Sequence, residues 1–229
     1  MFALFDRCYS GGSPALFAAD LARKSHVIEL REGGLLQGFS TIEVFDVEAD
    51  AGAARGVFSG DTIVHHDHWG TNVLAQAFCA FAGTLKRQRP AQPLYWLLIS
   101  KGQRTYRYLS LFARDYFPHP ERTTPAPVQT LMGAVARERF GAFYDPAAGV
   151  LRMRGQGTRL RPQWAAIRPP LQNKPEVAYF LQRNPGHLEG DELVCWCELS
   201  EANLLALALR EFRRGLPVMA GASPAMAER

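Results

Sequence analysis

Three segments in the first third of the chain carry apolar residues at the spacing of strands. They are residues 27–31, 35–48 and 57–64, and short turns of small or polar residues separate them. Connections of hairpin length join neighbouring strands in antiparallel order. The pattern therefore predicts a three-stranded antiparallel meander.

Residues 94–100, LYWLLIS, form a nearly continuous apolar run. Such a run is typical of a strand that is buried on both faces in the middle of a sheet. An amphipathic helix over about residues 71–87 precedes it. Because a strand, a helix and a strand then follow one another, residues 94–100 are expected to lie parallel to residues 57–64, with a right-handed crossover.

Helix-start signals and shorter apolar stretches predict the remaining elements. Residues 1–9 are expected to form a strand. Ser13 caps a helix over residues 13–24, in which Pro14 takes the first helical position. The other predicted elements are helices over residues 104–116, 128–140 and 175–183, a hairpin over residues 142–153, a strand over residues 192–199 and a final helix over residues 201–214, capped by Ser200.

The order of elements predicts an α/β (α+β) fold, with a mixed central sheet flanked by helices. Residues 1–120 are expected to form the core. Residues 121–217 form a C-terminal α+β extension packed on it, and residues 218–229 a frayed tail. The chain has 229 residues, of which 47% are hydrophobic, so it can bury a sizeable core.

Charge and cysteine usage exclude several classes of protein. The net charge of +4 is mildly basic, which does not indicate a nucleic-acid partner. The four cysteines include no Cys-x-x-Cys pair, so we predict no zinc site and a reduced, cytoplasmic protein. The first residues do not resemble a signal peptide, and no apolar run reaches the ~18 residues that cross a bilayer.

The turn after the third strand, HHDHWG at residues 65–70, concentrates groups that take up and release protons. An amine nucleophile must lose a proton, and Asp61 and His66 are candidate general bases. Alternatively, the histidines pack or cap, and Asp67 caps the helix that follows. His65 and His66 are expected to project apart on an extended chain, so we predict that they bind no metal.

Residues 64–78, VHHDHWGTNVLAQAF, resemble the acyl-donor motif of the GNAT superfamily of N-acyltransferases. In that family a strand ends before a glycine-rich turn that opens a helix. Downstream, LYWLLISKG followed by SLFARDYF is similar to the family's central strand and the end of its next helix. The resemblance covers roughly residues 1–120.

The resemblance implies transfer of an acyl group from a thioester donor to an amine of a small molecule. The donor would be coenzyme A in an acyl-CoA, or phosphopantetheine on an acyl carrier protein. A helix N-terminus can hold the donor phosphates without a cationic side chain. The residues that the resemblance places against the donor are Val64, His65, His68, Trp69, Gly70, Thr71, Asn72, Ser100 and Lys101.

Tyr106, in the helix after the central strand, is the acid that the resemblance implies for the departing thiolate. Lys86, Arg87 and Arg89, with Arg104 and Arg107, are expected to face an acidic carrier protein, or else to be solvated. The other predicted partner is a second copy of the chain, and no nucleic acid or membrane is expected.

Asn72 and Leu74 stand where the family commonly has glycines. They favour an alternative function, that of a non-catalytic GNAT-like module that binds a ligand or partner.

Overall fold

A mixed sheet of eight strands runs through the part of the chain that the computed structural model describes, which is residues 1–49, 52–153, 155–167 and 169–215. Two further short strands, β1 and β9, pair with each other. The strands are β1 (Tyr9–Ser10), β2 (His26–Glu32), β3 (Leu35–Ala49), β4 (Gly52–Val64), β5 (Leu94–Ser100), β6 (Tyr116–Phe117), β7 (Tyr144–Asp145), β8 (Val150–Leu151), β9 (Arg159–Leu160) and β10 (Glu192–Glu198). This arrangement confirms the mixed α/β class.

The main sheet has the order β2-β3-β4-β5-β10-β8-β7, with β6 also paired to β10. Strands β2, β3 and β4 form the predicted antiparallel meander. Strand β5 lies parallel to β4, also as predicted. Strand β10 pairs antiparallel with β5 over six residues, so the C-terminal extension supplies a central strand of the same sheet.

Helices cover both faces of the sheet. They are α1 (Phe2–Cys8), α2 (Pro14–Leu21), α3 (Val73–Gln88), α4 (Gln103–Phe112), α5 (Ala126–Phe140), α6 (Pro162–Ala165), α7 (Pro169–Gln172), α8 (Pro175–Arg183) and α9 (Ala206–Arg214). Helices α3, α4, α8 and α9 pack on what we call the first face, where Val57, Trp96 and Leu98 point. Helices α1, α2 and α5 cover the second face, where Phe58 and Ile63 point.

The N-terminal segment is a helix, and the prediction of a strand over residues 1–9 is wrong. Apolar residues along α1 pack as a helical stripe. Phe5 is buried, and its ring lies 5.2 Å from that of Phe17 in α2. The aromatic cluster between α1, α2 and β3 therefore decides the conformation of a stretch too short for its periodicity to be read. The capping role of Ser13 is confirmed, because its Oγ accepts a hydrogen bond from the amide of Leu16.

The last helix begins at Ala206, not at residue 201 after a Ser200 cap. The side chain of Asn203 explains the difference. Its amide donates to the carbonyls of Asp115 and Glu198, and its Oδ1 accepts from the Asp115 amide. These bonds hold residues 200–204 as a turn against the end of β6.

Strands β4 and β5 separate before either of them ends. Their pairing runs from Arg55 opposite Leu94 to Ser59 opposite Leu98, whereas β4 continues to Val64 beside β3. An irregularity in the β3–β4 register occurs at the same level, where Ser40 faces Thr62 but Ile42 faces Ser59. A bulge of this kind bends the bulged strand and re-aims its side chains. A gap therefore opens in the sheet beside residues 60–64.

The predicted frayed tail lies outside the described residues. Within the described residues, no helix has both the length and the apolar character needed to cross a membrane.

Candidate functional site

A cavity of about 390 Å³ opens on the first face beside the end of β4, and we call it the turn cavity. Its walls are the end of β4, residues 68–72, the start of α4 and parts of the C-terminal extension. The lining includes Tyr9, Thr62, Val64, His68, Trp69, Gly70, Thr71, Asn72, Arg104, Thr105, Arg107, Tyr108 and Trp164. Val64 and residues 68–72 of the predicted donor site thus lie together.

Hydrogen bonds within the chain hold the turn in shape. Trp69 Nε1 donates to the carbonyl of Val64 at 2.9 Å, and Thr71 Oγ1 donates to that of His68 at 2.8 Å. Gly70 has φ +95°, a conformation that a side chain would strain. Asn72 lines the cavity and directly precedes α3, a helix of 16 residues, so the helix begins at the edge of the cavity. The side chain of Asn72 makes no capping bond, and the first amides of the helix therefore have no side-chain cap.

The lining of the turn cavity favours an anion. Arg104 and Arg107 line it, and no aspartate or glutamate is among its described lining residues. The guanidinium of Arg104 lies 3.9 Å from the centre of the Trp69 ring, and Trp164 meets that ring edge-on at 4.8 Å. The cavity therefore combines positive charge with aromatic and apolar walls, which suits an elongated ligand that carries both.

A second cavity of about 440 Å³ lies on the second face, and we call it the Asp61 cavity. Three of its walls are aromatic, formed by Phe17, Phe140 and Phe143. The charged residues that line it are Asp20, Arg23, Lys24, Asp61, Lys101, Arg139 and Glu192.

The two cavities meet at the gap between β4 and β5. Tyr9, Thr62 and Thr105 line both of them. Thr62 and Thr105 also border a third, apolar space of about 40 Å³, which Trp96 and Leu98 line as well. The two cavities therefore share walls at the gap in the sheet, which we call the passage, with Thr62 at its edge.

The carboxyl of Asp61, which lines this cavity, is a weaker acid than that of an ordinary aspartate. Burial raises the pKa of its carboxyl to about 6; the positive charge of Lys101 works in the opposite direction. No described residue gives the carboxylate a hydrogen bond or an ion pair. Near neutral pH, Asp61 is thus mostly ionised and still basic enough to accept a proton.

His65 and His66 lie on the outer side of the turn, away from the passage. Both line another surface cavity, and the prediction that they project apart is wrong, because their ring centres are 4.3 Å apart. The reason is that residues 66–68 form a 3₁₀ turn and not an extended chain. His66 is about half exposed, stacks on Trp164 and pairs with Asp67 at 3.1 Å, so the structure does not bring it together with Asp61.

The potential ligand atoms of His65, His66 and Asp67 lie within 4.8 Å of one another. However, Nη1 of Arg7 lies 3.0 Å from His65 Nε2. A guanidinium only donates, so Nε2 is the acceptor and the proton of the neutral ring is on Nδ1. His65 then offers a metal no free lone pair. The absence of a metal site stays a prediction, now with this physical basis.

Three other predicted site residues do not line the turn cavity. Ser100 is fully buried, and its Oγ donates to the carbonyl of Gly102 at 2.8 Å. Lys101 lies on the opposite face, in the Asp61 cavity, where its Nζ is 3.1 Å from Glu192 Oε1 and 2.9 Å from Thr158 Oγ1. Tyr106 is fully buried and donates its hydroxyl proton to the carbonyl of Pro118 at 2.8 Å. We assign Tyr106 a structural role.

Replacing Tyr106 with phenylalanine is expected to lower stability and to leave ligand binding and turnover unchanged. The carbonyl of Pro118 would lose its buried donor, which costs about 1–2 kcal/mol, or roughly 2–8 °C in melting temperature for a chain of this size. Thermal unfolding measures the effect. Tyr95→Phe is the control, since no described residue binds the Tyr95 hydroxyl. A fall in turnover without a fall in melting temperature would contradict the structural role.

Several residues of the site carry no signal of their own in the sequence. Tyr9, Thr105 and Trp164 come from elements far from the turn, and only the topology brings them to it. Arg23, two residues after the end of α2, reaches the Asp61 cavity in the same way. Tyr108 lies two positions after Tyr106 in α4 and lines the turn cavity, where Tyr106 does not.

Comparison of the chain with models of protein families and with curated proteins finds no match.

Proposed function

We propose that the protein is an N-acyltransferase, which moves an acyl group from a thioester donor in the turn cavity to an amine in the Asp61 cavity. The observation that carries the proposal is the gap between β4 and β5, which opens between two cavities on opposite faces of one sheet. Direct transfer between two substrates bound at the same time is served by separate entrances and one meeting point. The resemblance of residues 1–120 to GNAT proteins gains support from this geometry and from the parallel β4–α3–β5 unit.

The turn cavity has the properties that a phosphopantetheine donor needs. The arginines 104 and 107 and the first amides of α3 favour phosphate. The apolar walls and the passage at Thr62 suit the arm and the thioester. We propose acyl-CoA or carrier-bound phosphopantetheine as the donor, and a small-molecule amine as the acceptor.

An acyl carrier protein would dock at the mouth of the turn cavity, beside Arg104 and Arg107. Lys86, Arg87 and Arg89 do not belong to that surface. They lie at the far end of α3, about 24 Å away for 16 residues. Arg87 also donates to the carbonyls of Phe212 and Arg213 in α9.

The chemistry needs one proton acceptor and one proton donor. The amine nitrogen attacks the carbonyl carbon of the thioester, the N–C bond forms, and the C–S bond breaks. Asp61 takes the proton that the amine loses. The thiolate takes a proton from the hydroxyl of Tyr9 or of Tyr108, which both line the turn cavity; burial raises the pKa of each, so both stay protonated near neutral pH.

The proposal places the protein in the cytoplasm, where thiols stay reduced. All four cysteines are free thiols, which agrees with that location.

The second candidate function is a non-catalytic GNAT-like module that binds a ligand or partner. Leu74 favours it, because this side chain is buried where the family commonly has a glycine. In that case a ligand would bind in the turn cavity without reaction, and Asp61 would have no effect on it.

Incubation with acyl-CoAs of several chain lengths, acylated carrier proteins and a pool of amines tests the proposal. We expect an N-acyl product by mass spectrometry and release of the free thiol. The double variant Arg104→Glu/Arg107→Glu should weaken binding of the acyl donor about tenfold or more. Arg137→Glu, on the exposed side of α5, should leave donor binding unchanged. Donor binding without a product would favour the second function, and neither binding nor product would overturn both.

A further inference from the structure

The charged residues of the Asp61 cavity pair off almost completely. Lys24 lies 3.0 Å from Asp20, and Lys101 lies 3.1 Å from Glu192. Arg139 pairs at 2.6 Å with Glu43, which is not a lining residue. Three of the four lining cations and two of the three lining anions are therefore neutralised within the protein.

One charge of each sign remains. Asp61 and Arg23 line the cavity, and neither side chain has an ion pair or a hydrogen bond to any described residue. A partly buried carboxylate without a partner is best stabilised by a bound cation. A guanidinium presents a planar fork of donors that matches a carboxylate. The cavity thus offers complementary charges for a ligand that carries both signs.

Most of the remaining lining is apolar. Phe17 and Phe140 form aromatic walls, and Leu16 and Met153 add aliphatic surface. The hydrocarbon part of Lys24 passes over Gly60, where an added Cβ would lie 3.1 Å from its Cε. This places packed hydrocarbon directly beside Asp61. A ligand whose charged groups meet Asp61 and Arg23 would therefore have a hydrocarbon body between these walls.

We infer that the acceptor is a zwitterion, namely an α-amino acid with an apolar side chain or a similar amine that carries a carboxylate. Its ammonium pairs with Asp61, its carboxylate pairs with Arg23, and its side chain packs on Phe17 and Phe140. This inference rests on the proposed function for the reaction itself, but the binding site does not depend on turnover. Pairing with Asp61 also places the nitrogen at the end of the passage that Thr62 borders.

Matched pairs of acceptors test the inference: leucine against isopentylamine, and phenylalanine against phenethylamine. With a reactive acyl donor, we expect kcat/KM to favour the amino acid of each pair by about tenfold or more, as expected for one charge-assisted pair. Arg23→Ala should remove this preference and leave the decarboxylated amines within about threefold of their original rates. Arg23→Glu should reverse it. Arg31→Ala, an exposed arginine on β2, is the control and should change neither rate.

Calorimetric titration of the same four compounds without a donor separates this inference from the proposed function. Binding of the amino acids that Arg23→Ala abolishes supports the zwitterion site, even if no donor reacts. Transfer that proceeds equally well to both members of each pair, or that Arg23→Ala lowers equally for both, overturns the zwitterion site and leaves the acyltransferase proposal in place. Absence of amino-acid binding in titration and in turnover also overturns it.

Discussion

Replacing Asp61 with asparagine is expected to lower kcat for acyl transfer by about 10²–10⁴-fold, the usual contribution of a general base. Asparagine has nearly the shape of aspartate and can still contact the acceptor nitrogen, but it cannot take its proton. KM for the thioester donor should change little, because the donor lies on the other side of the passage. Steady-state assays of thiol release measure both quantities. Asp46→Asn, an exposed carboxylate on β3, is the matched control.

The pH dependence gives this prediction a second readout. Because burial raises the pKa of Asp61 to about 6, the wild-type rate should fall as the pH drops through about 6 and the carboxylate takes up a proton. The residual rate of Asp61→Asn should not show this fall at acidic pH. If the rate of the variant still falls at the same pH, another group causes that fall, and Asp61 is not the base.

Stability should move in the opposite direction from activity. The carboxyl of Asp61 binds its proton more tightly in the folded protein than in the unfolded chain, where its pKa is near 3.8. The stability that this group contributes is thus fully present below about pH 4 and is lost as the pH rises through about 6. Asp61→Asn should therefore melt above the wild type at pH ~7.5 and show no such advantage at pH ~4. A catalytic group that weakens its own fold is a common compromise, whereas a structural carboxylate would stabilise it.

The sequence predicts the sheet well because its signals are local and strong. The run at residues 94–100 is typical of a central strand, and the helix before it indicates that β5 lies parallel to β4. The prediction for residues 1–9 is wrong because nine residues do not show whether apolar positions repeat every two or every 3.6 residues. Contacts of Phe5 with Phe17, twelve residues away, decide between them.

The candidate site likewise contains residues that local sequence signals predict and residues that they do not. Residues 68–72 and Asp61 could be predicted because a strand, a turn and a helix N-terminus follow each other in the chain. The other residues of the Asp61 cavity could not, since only the fold brings Arg23, Lys101 and Tyr9 to it. Tyr108, and not Tyr106, lines the turn cavity because of the rotation of α4, which packing against α8 determines: the ring of Tyr106 lies 6.0 Å from that of Phe180.

The separation of β4 from β5 could not be predicted from the sequence, for a different reason. It depends on where pairing stops, and both strands continue as good strands beyond that point. Gly60 is the one local sign, because an added Cβ there would lie 2.6 Å from Thr41 Oγ1. A glycine at a bulge often marks close approach of neighbouring groups, but many strand glycines have no such role.

Filling the passage is expected to abolish transfer while both cavities still bind their ligands. Thr62 is exposed and lines all three cavities that meet at the gap. A tryptophan at this position would occupy the space in which nitrogen and thioester must approach, and displacing reacting atoms by about 1 Å can already cost about 10²-fold in rate. We therefore expect Thr62→Trp to lose at least about 10²-fold in kcat.

Two controls separate the blocked passage from other effects of Thr62→Trp. The Thr62 hydroxyl lies 2.8 Å from Ser40 Oγ, and Thr62→Val removes only this hydrogen bond. Thr130→Trp adds the same bulk on the exposed side of α5. Both controls should keep transfer within about threefold of the wild type, and melting temperatures should show that Thr62→Trp is folded. If Thr62→Trp binds donor and acceptor and still transfers at the wild-type rate, the substrates do not meet at this gap. If it binds neither ligand, the side chain distorts the cavities, and Thr62→Leu, with less bulk, should then lower transfer while keeping binding.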